Sequence, residues 1–335
     1  MAEIVLSGLT KRFGRTAALD SVDLVVPDGA FVVLLGPTGA GKTTTLRLIA
    51  GLDVPDAGVI AIDGRDVAGE SPAQRDVTMV FQQYSLYPHL TVAQNLAFPL
   101  RSPVIAADEA TIERRVAEVA EVLRIPHKLG NKATELSGGE MQRVSIGRAL
   151  VREPAVHLMD EPLSSLDAKL RSDLRVELKR IQESLGATLL YVTHDQIEAM
   201  TMATHVGVLD RGRLAQFGTP REIYADPASL YVASRLGLPR INALPAATFP
   251  GAPAGAATVA LRPEMIRHDH GPEARVTRVE RLGDQTRVHL TLAGHDMVTL
   301  ADPHTDLAPG ATLPVRPEGA LWFDAEGRRL RGAAA

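Results

Sequence analysis

Apolar and polar residues alternate through IVLSGL and SVDLVVPDG in the first thirty residues, which predicts antiparallel strands with one buried face. The pattern then changes. FVVLL (31–35) is apolar without interruption, as in a strand buried on both faces of a sheet. It runs into a glycine-rich loop and then TTTLRLIAGL, a helical stretch that Gly51 closes. AVHLMD (155–160) and TLLYVTH (188–194) predict two more buried strands. Between them, DAKLRSDLRVELKRIQESLG sets Leu170, Leu174, Leu178, Ile181 and Leu185 at helical spacing and ends on Gly186. Upstream, DEATIERRVAEVAEVLRI puts Ile112, Val116, Val119, Ala120 and Leu123 on one helical face. Strand, helix, strand in this order implies a parallel sheet with helices packed on it.

After Leu236 the pattern changes again. LPRINALPAATFPGAPAGAA is rich in Pro, Ala and Gly and reads as a boundary or a long loop. Short β-like runs follow (TVALRPEMI, ARVTRVERLG, TRVHLTLAG, DMVTLAD, ATLPVRPEG, ALWFDAEG), separated by turn residues, as in a small barrel or sandwich. Trp322 and Phe323 are expected to pack a last strand into that barrel. The 335 residues thus divide into residues 1–235, an α/β domain with an antiparallel β subdomain and a helical subdomain at about 88–155, and residues 236–335, an all-β domain.

Composition narrows the field. The net charge of −4 argues against a nucleic-acid partner. The absence of Cys removes disulfides, thiolate metal sites and thiol nucleophiles, and fits a reducing compartment. The N-terminal MAEIVLSGLTKRFG is charged and alternating, unlike a signal peptide. The longest apolar run, AFVVLLG, is too short to span a bilayer, so any membrane link runs through a partner or a surface contact.

Chemistry concentrates at the ends of the buried strands. GPTGAGKT matches the phosphate-loop pattern between a strand and a helix. Its loop, Gly36, Pro37, Thr38, Gly39, Ala40 and Gly41, would wrap a β-phosphate with the backbone N–H groups of its non-proline residues, Lys42 would reach the β- and γ-phosphates, and the Thr43 hydroxyl can ligate Mg²⁺. VHLMDEP ends a strand on Asp160 and Glu161; Asp160 would hold Mg²⁺ through water, and Glu161 would orient or deprotonate an attacking water. TLLYVTHD ends the next strand on His194, placed for a γ-phosphate contact. Gln82, just past an apolar run, can ligate Mg²⁺ or water through its carbonyl. Phe13 either stacks on a base or packs as a half-buried strand aromatic. LSGGE offers a second set of backbone donors: Ser137, Gly138 and Gly139 precede a helix, and Glu140 lies just inside it.

Phe13, GPTGAGKTT (through Thr44), Gln82, LSGGE, VHLMDEP, SSLD and His194 occur in the order found in the ATPase subunits of ABC transporters, and the chain up to about Ser234 resembles that family. The resemblance implies the P-loop NTPase fold of an ABC ATPase domain, with Ala18 and Thr44 among the nucleotide contacts. MVFQQYSLYPHLTVAQNLAFPL, LSSLDAKLRSDLRVELKRIQ and the C-terminal β-domain resemble the carbohydrate-uptake branch of importers, whose regulatory domain is OB-fold-like (TOBE-like). Met141, Glu140 and Gln83 depart from the usual residues at their positions.

What the resemblance implies is a head-to-tail homodimer with ATP and Mg²⁺ between the copies. Each site joins one phosphate loop to the other copy's Ser137, Gly138, Gly139 and Glu140, with Asp167 reaching across. Two transmembrane permease subunits would dock over Gln82–Val92, and an extracytoplasmic solute-binding protein would act indirectly through them. The chain would lie peripherally on the cytoplasmic face of the bacterial inner membrane and drive uptake of a sugar or glycoside. A soluble ABC ATPase is disfavoured by the single ATPase domain and the lack of heptads. A polyamine, oxyanion or glycerol phosphate importer shares most of these motifs and is the standing alternative.

Overall fold

The computed structural model describes residues 2–103 and 105–331. The chain divides into two compact units, the first ending at Pro220 and the second beginning at Arg221. The second unit therefore begins about 15 residues before the boundary expected at 235: two short helices that the sequence reading gave to the ATPase domain belong to it.

In the first unit, β1 (Ile4–Phe13) and β2 (Thr16–Val26) form an antiparallel hairpin around Gly14 and Arg15. The buried β3 (Phe31–Leu35) leads into α1 (Lys42–Ile49). β4 (Ala57–Ile62) and β5 (Arg65–Asp66) extend the hairpin into a sheet of order β2-β1-β4-β5. After β6 (Val77–Val80) come α2 (Val92–Ala97), α3 (Glu109–Val122), a 3₁₀ turn (Pro126–Lys128) and α4 (Gly138–Leu150). β7 (Val156–Asp160), α5 (Ala168–Leu185), β8 (Thr188–Thr193), α6 (Gln196–Met202), β9 (His205–Asp210) and β10 (Arg213–Gly218) complete it.

The central sheet has the order β10-β9-β3-β8-β7-β6, parallel except for β10 at its edge. Every residue of β3, β7 and β8 is buried, as an unbroken apolar run requires when helices cover both faces. The α3 positions read from the sequence (Ile112, Val116, Val119, Ala120, Leu123) are all buried. The reading of α5 needs one correction. Leu174, Leu178 and Ile181 are buried and Leu170 is half-buried, but Leu185 is half exposed and Gln182 takes the inward position near the helix end. Its amide donates to the carbonyls of Gly29 (2.8 Å) and Ala187 (3.0 Å), so a polar side chain sits inside without an unmet donor.

His157 sits in the middle of β7, buried, with Thr78 Oγ1 3.2 Å from its Nδ1. Burial pushes its imidazole down to about 4. A folded value depressed below the unfolded one means the neutral ring stabilises the fold fully above about pH 6.5, and that this is lost as pH falls towards 4. Wild-type protein should therefore lose about 2 kcal/mol more than His157→Gln between pH 7 and pH 5 in urea unfolding. Parallel pH profiles for the two proteins would refute the assignment.

The second unit contains α7 (Pro220–Ala225, whose first residue closes the first unit) and α8 (Leu230–Arg235). Its strands are β11 (Asn242–Pro245), β12 (Thr258–Leu261), β13 (Ile266–Arg267), β14 (Glu273–Arg281), β15 (Thr286–Leu292), β16 (His295–Ala301), β17 (Thr312–Pro314), β18 (Arg316–Pro317), β19 (Leu321–Phe323) and β20 (Arg329–Leu330). They form antiparallel sheets of order β11-β12-β19-β20, β13-β18 and β16-β15-β14-β17. The stretch expected to be a boundary or loop thus holds β11, an edge strand, where Pro245 is tolerated. In β19 the period-two alternation sends Trp322 to the larger core cluster and Phe323, fully buried, to a smaller one with Leu321 and Ala233.

Candidate active site

Register brings four strand ends together. Leu35 pairs with Thr193, Asp160 with Val192, and Val80 with Met159, so the chain leaves β3, β8, β7 and β6 at one edge of the sheet. That carboxyl edge is where open α/β sheets bind ligands.

The loop after β3 closes on Gly41, at φ 103°, where an added Cβ would lie 2.5 Å from the Ala18 carbonyl oxygen. Only glycine permits both the left-handed backbone and that approach, which seats the loop against β2. Lys42 heads α1 and is buried; its Nζ donates to the carbonyls of Gly36 (2.9 Å) and Pro37 (3.2 Å) and lies 3.4 Å from Glu161 Oε1. Thr43, one residue on, is exposed, and its hydroxyl donates to Asp160 Oδ1 (3.0 Å). Pro37, Thr38 and Gly39 are likewise exposed, so the loop presents its outer rim to solvent.

Asp160 is only 7% exposed, and burial pushes its carboxyl above the usual range, with Glu161 adding to the rise and the Thr43 bond, Lys42 and Arg47 opposing it. A buried carboxylate accepting from a threonine hydroxyl on an exposed residue is a pair of hard oxygen donors, the set that suits Mg²⁺. Glu161 follows with a left-handed backbone (φ 44°), a costly conformation for a non-glycine residue and one that clusters at functional sites. Its N–H donates to the Val192 carbonyl (3.1 Å), and its Oε2 lies 2.9 Å from His194 Nδ1. The two carboxylate oxygens of Glu161 therefore join Lys42 on one side to His194 on the other. Gln82 is exposed two residues beyond Val80, at the same sheet edge. Phe13 projects from the end of β1 with 53% of its surface exposed and Lys11 Nζ 5.4 Å from the ring centroid, a half-buried strand aromatic with one face open.

Ser137, Gly138, Gly139 and Glu140 form a separate group at the start of α4. Ser137 is the helix cap: its Oγ accepts from Glu140 N–H (3.4 Å), while Glu140 Oε2 accepts from the Ser137 N–H (2.8 Å) and hydroxyl (2.9 Å). At Gly139 a Cβ would fall 2.0 Å from Leu170 Cδ2, so the glycine lets α4 and α5 meet. Asp167 caps α5, accepting from Leu170 N–H (3.0 Å). Among the described residues, no direct hydrogen bond or ion pair joins this group to Lys42, Glu161 or His194; the link between them runs through Arg171, whose N–H donates to the Asp167 carbonyl (2.9 Å), and Ser164, whose hydroxyl donates to the Glu161 carbonyl (2.9 Å).

Sequence reasoning missed three participants. Buried Arg75 donates to the carbonyls of Leu48 (2.7 Å) and Ile49 (3.0 Å), completing the C-terminal end of the helix whose other end carries the phosphate loop. Tyr84 OH lies 3.1 Å from Ser165 Oγ and 3.3 Å from where a Gly138 side chain would start, tying the segment after Gln82 to both SSLD and the α4 cap. Lys128 lies 3.0 Å from Glu140 Oε1. Single basic or aromatic residues in polar loops carry no periodic signal that marks them.

A phosphate loop after β3, a histidine after the adjacent β8 and two acids at the end of β7 beyond it define an ATP-hydrolysing cassette of the P-loop class. The comparisons agree. The ABC transporter family pattern matches residues 19–164, and the TOBE domain pattern matches residues 259–323. The chain is 44% identical over 351 residues to the sn-glycerol-3-phosphate import ATP-binding protein UgpC of Ruegeria sp. (strain TM1040), covering 98% of this chain and 99% of that protein. It is 46% identical over 360 residues to UgpC of Rhizobium meliloti (strain 1021), covering 98% and 100%. Among solved structures, the dimeric post-hydrolysis state of the ATP-binding cassette MJ0796 bound to ADP and Pi is 32% identical, with a TM-score of 0.58, covering 65% of this chain and 99% of that one. The chain belongs to the ATP-binding subunits of ABC importers that carry a C-terminal TOBE domain. It binds nucleotide and couples ATP hydrolysis to transport. No helix among the described residues is long and apolar enough to cross a membrane.

Proposed function

We propose that two copies of this chain pair head to tail and hydrolyse ATP at two composite sites, each built from one copy's phosphate loop and the other's Ser137-to-Glu140 segment. The observation that carries this reading is the division of the site residues into two groups with no direct hydrogen bond or ion pair between them among the described residues, each incomplete alone. One holds Lys42, Asp160, Glu161 and His194; the other presents a capped helix N-terminus with close-packed glycines.

In the isolated chain Lys42 satisfies its charge on two loop carbonyls and Glu161. Bound phosphates would compete for Lys42, and its departure releases Glu161 Oε1 to orient the attacking water and take its proton. His194 stays on Oε2 and offers its other ring nitrogen to the γ-phosphate. Thr43, Asp160 and, through its carbonyl, Gln82 would hold Mg²⁺, which when bound neutralises charge on the β- and γ-phosphates. Phe13 stacks on the adenine, with Ala18 and Thr44 completing the contacts. Ser137, Gly138 and Gly139 supply donors from the opposite side, and Asp167 reaches the partner's site once the copies close.

The permease subunits dock over Gln82–Val92 on the cytoplasmic side of the membrane. That segment borders a groove of about 350 Å³ lined by Leu52, Phe81, Tyr84, Ser85, Pro99 and Arg148. Phe81 and Leu52 are exposed there, apolar surface suited to a helix end. We assign the solute to the sugar and sugar-phosphate class, with sn-glycerol 3-phosphate as the first to test because the relatives described above are named for it. The complex should be purified with its permeases, reconstituted in vesicles with the solute-binding protein, and assayed for phosphate release. Glycerol phosphate or a sugar should raise hydrolysis several-fold. Stimulation by a polyamine or an oxyanion instead would overturn the solute assignment and leave the ATPase reading intact.

A further inference from the structure

Ser137 has one hydroxyl proton, and in this structure it is already committed. The hydroxyl donates to Glu140 Oε2 at 2.9 Å, the same oxygen that accepts the Ser137 backbone N–H at 2.8 Å. The other carboxylate oxygen is held by Lys128 Nζ at 3.0 Å. These bonds, the backbone one first, hold the Glu140 carboxyl down at about 2, so it is an anion at any working pH. Lys128 comes from the 3₁₀ turn preceding the cap, so two separate elements fix one carboxylate against the cap serine.

On the composite-site reading above, an acceptor on the partner's nucleotide must take that same hydroxyl proton. An anion bonded to Ser137 Oγ then stands within about 6 Å of the Glu140 carboxylate. We infer that Glu140, fixed by Lys128, is a positioning residue that withholds the Ser137 hydroxyl and opposes the incoming phosphate charge, so that the pair sets the ATP concentration at which two copies close. Lys128 has a double part: it fixes the carboxylate and cancels much of its charge. A neutral amide at position 140 still caps the helix through its carbonyl oxygen, yet it neither repels phosphate nor accepts as strongly.

The experiment uses the full-length chain carrying Glu161→Gln, so that closure is read as assembly and not as turnover. ATP is titrated and the fraction paired is followed by sedimentation velocity. Adding Glu140→Gln should lower the half-closing ATP concentration about three- to tenfold, and the difference should shrink in high salt because it is a charge effect. Lys128→Gln should raise it, since the carboxylate is left uncompensated. A Glu140→Gln midpoint equal to or above the parent's, or a Lys128→Gln midpoint below it, overturns the inference. Adding Ser137→Arg to the parent separates the two levels: if that chain still pairs with ATP as the parent does, the composite-site reading itself has failed. A purely structural cap would move thermal stability in these variants without opposite, salt-sensitive shifts in the ATP midpoint.

Discussion

Glu161→Gln binds ATP, accumulates as a closed pair and releases phosphate at least about a hundredfold more slowly than the parent chain. The substitution is isosteric and keeps the carbonyl oxygen that faces Lys42 at 3.4 Å or His194 at 2.9 Å. What it removes is the negative charge and the capacity to take a proton. Glu161 is well placed to be missed by a less specific change: its backbone is left-handed, so a β-branched or bulky replacement would add strain to the chemical loss. Because Lys42 loses an anionic partner in the variant, its competition for the phosphates is relieved, and ATP affinity should hold or rise. Single-turnover phosphate release alongside ATP-dependent sedimentation reads both halves. Near-normal release from the variant would mean that another group activates the water, and His194 on the neighbouring strand would become the first suspect.

The residues around Glu161 were legible in the sequence for a physical reason. A strand buried on both faces must be apolar, so polar residues at its end stand out, and the parallel topology delivers four such ends to one edge. The start of α4 was legible too, as a small polar residue and two glycines running into a helix; the capping box between Ser137 and Glu140 is what the structure adds. Where the pattern misled, a side-chain bond had replaced packing. Gln182 takes the place expected of Leu185 because two loop carbonyls await its amide. Pro245, which marked a loop, is accommodated at the edge of a sheet in β11. The early boundary of the second unit rests on α7 and α8, whose short helical runs gave no sign of which unit they join. Arg75 and Lys128 were invisible because each acts on a group distant in sequence: Arg75 on carbonyls of Leu48 and Ile49, Lys128 on Glu140.

Two inactive chains mixed together should recover hydrolysis. A Lys42→Ala copy cannot grip phosphate from its own loop but still offers Ser137; a Ser137→Arg copy offers a working loop but blocks the donor segment with a bulky cation. Alone, neither copy can assemble a site with both functional halves. In an equimolar mixture, about half the pairs are mixed if assortment is random, and each mixed pair has one site with both functional halves and one with neither. About a quarter of the wild-type complement of sites is then intact, and phosphate release plotted against mixing ratio should peak at equal amounts. Both substitutions suit the test. Ser137 is exposed, so arginine is sterically tolerated and the loss of its cap costs about 1 kcal/mol. Lys42 is buried, so its removal also frees Glu161 Oε1, and thermal unfolding of each chain alone must first establish that the fold persists. If both chains are folded, each pairs with wild type, and their mixture is inert at every ratio and concentration, then Ser137 does not complete the partner's site. If instead either chain alone is active, its substituted residue is not essential to the site at all. Only the peaked profile is the signature of a site shared between copies, because a site complete within one chain has no means of being repaired by a second defective one.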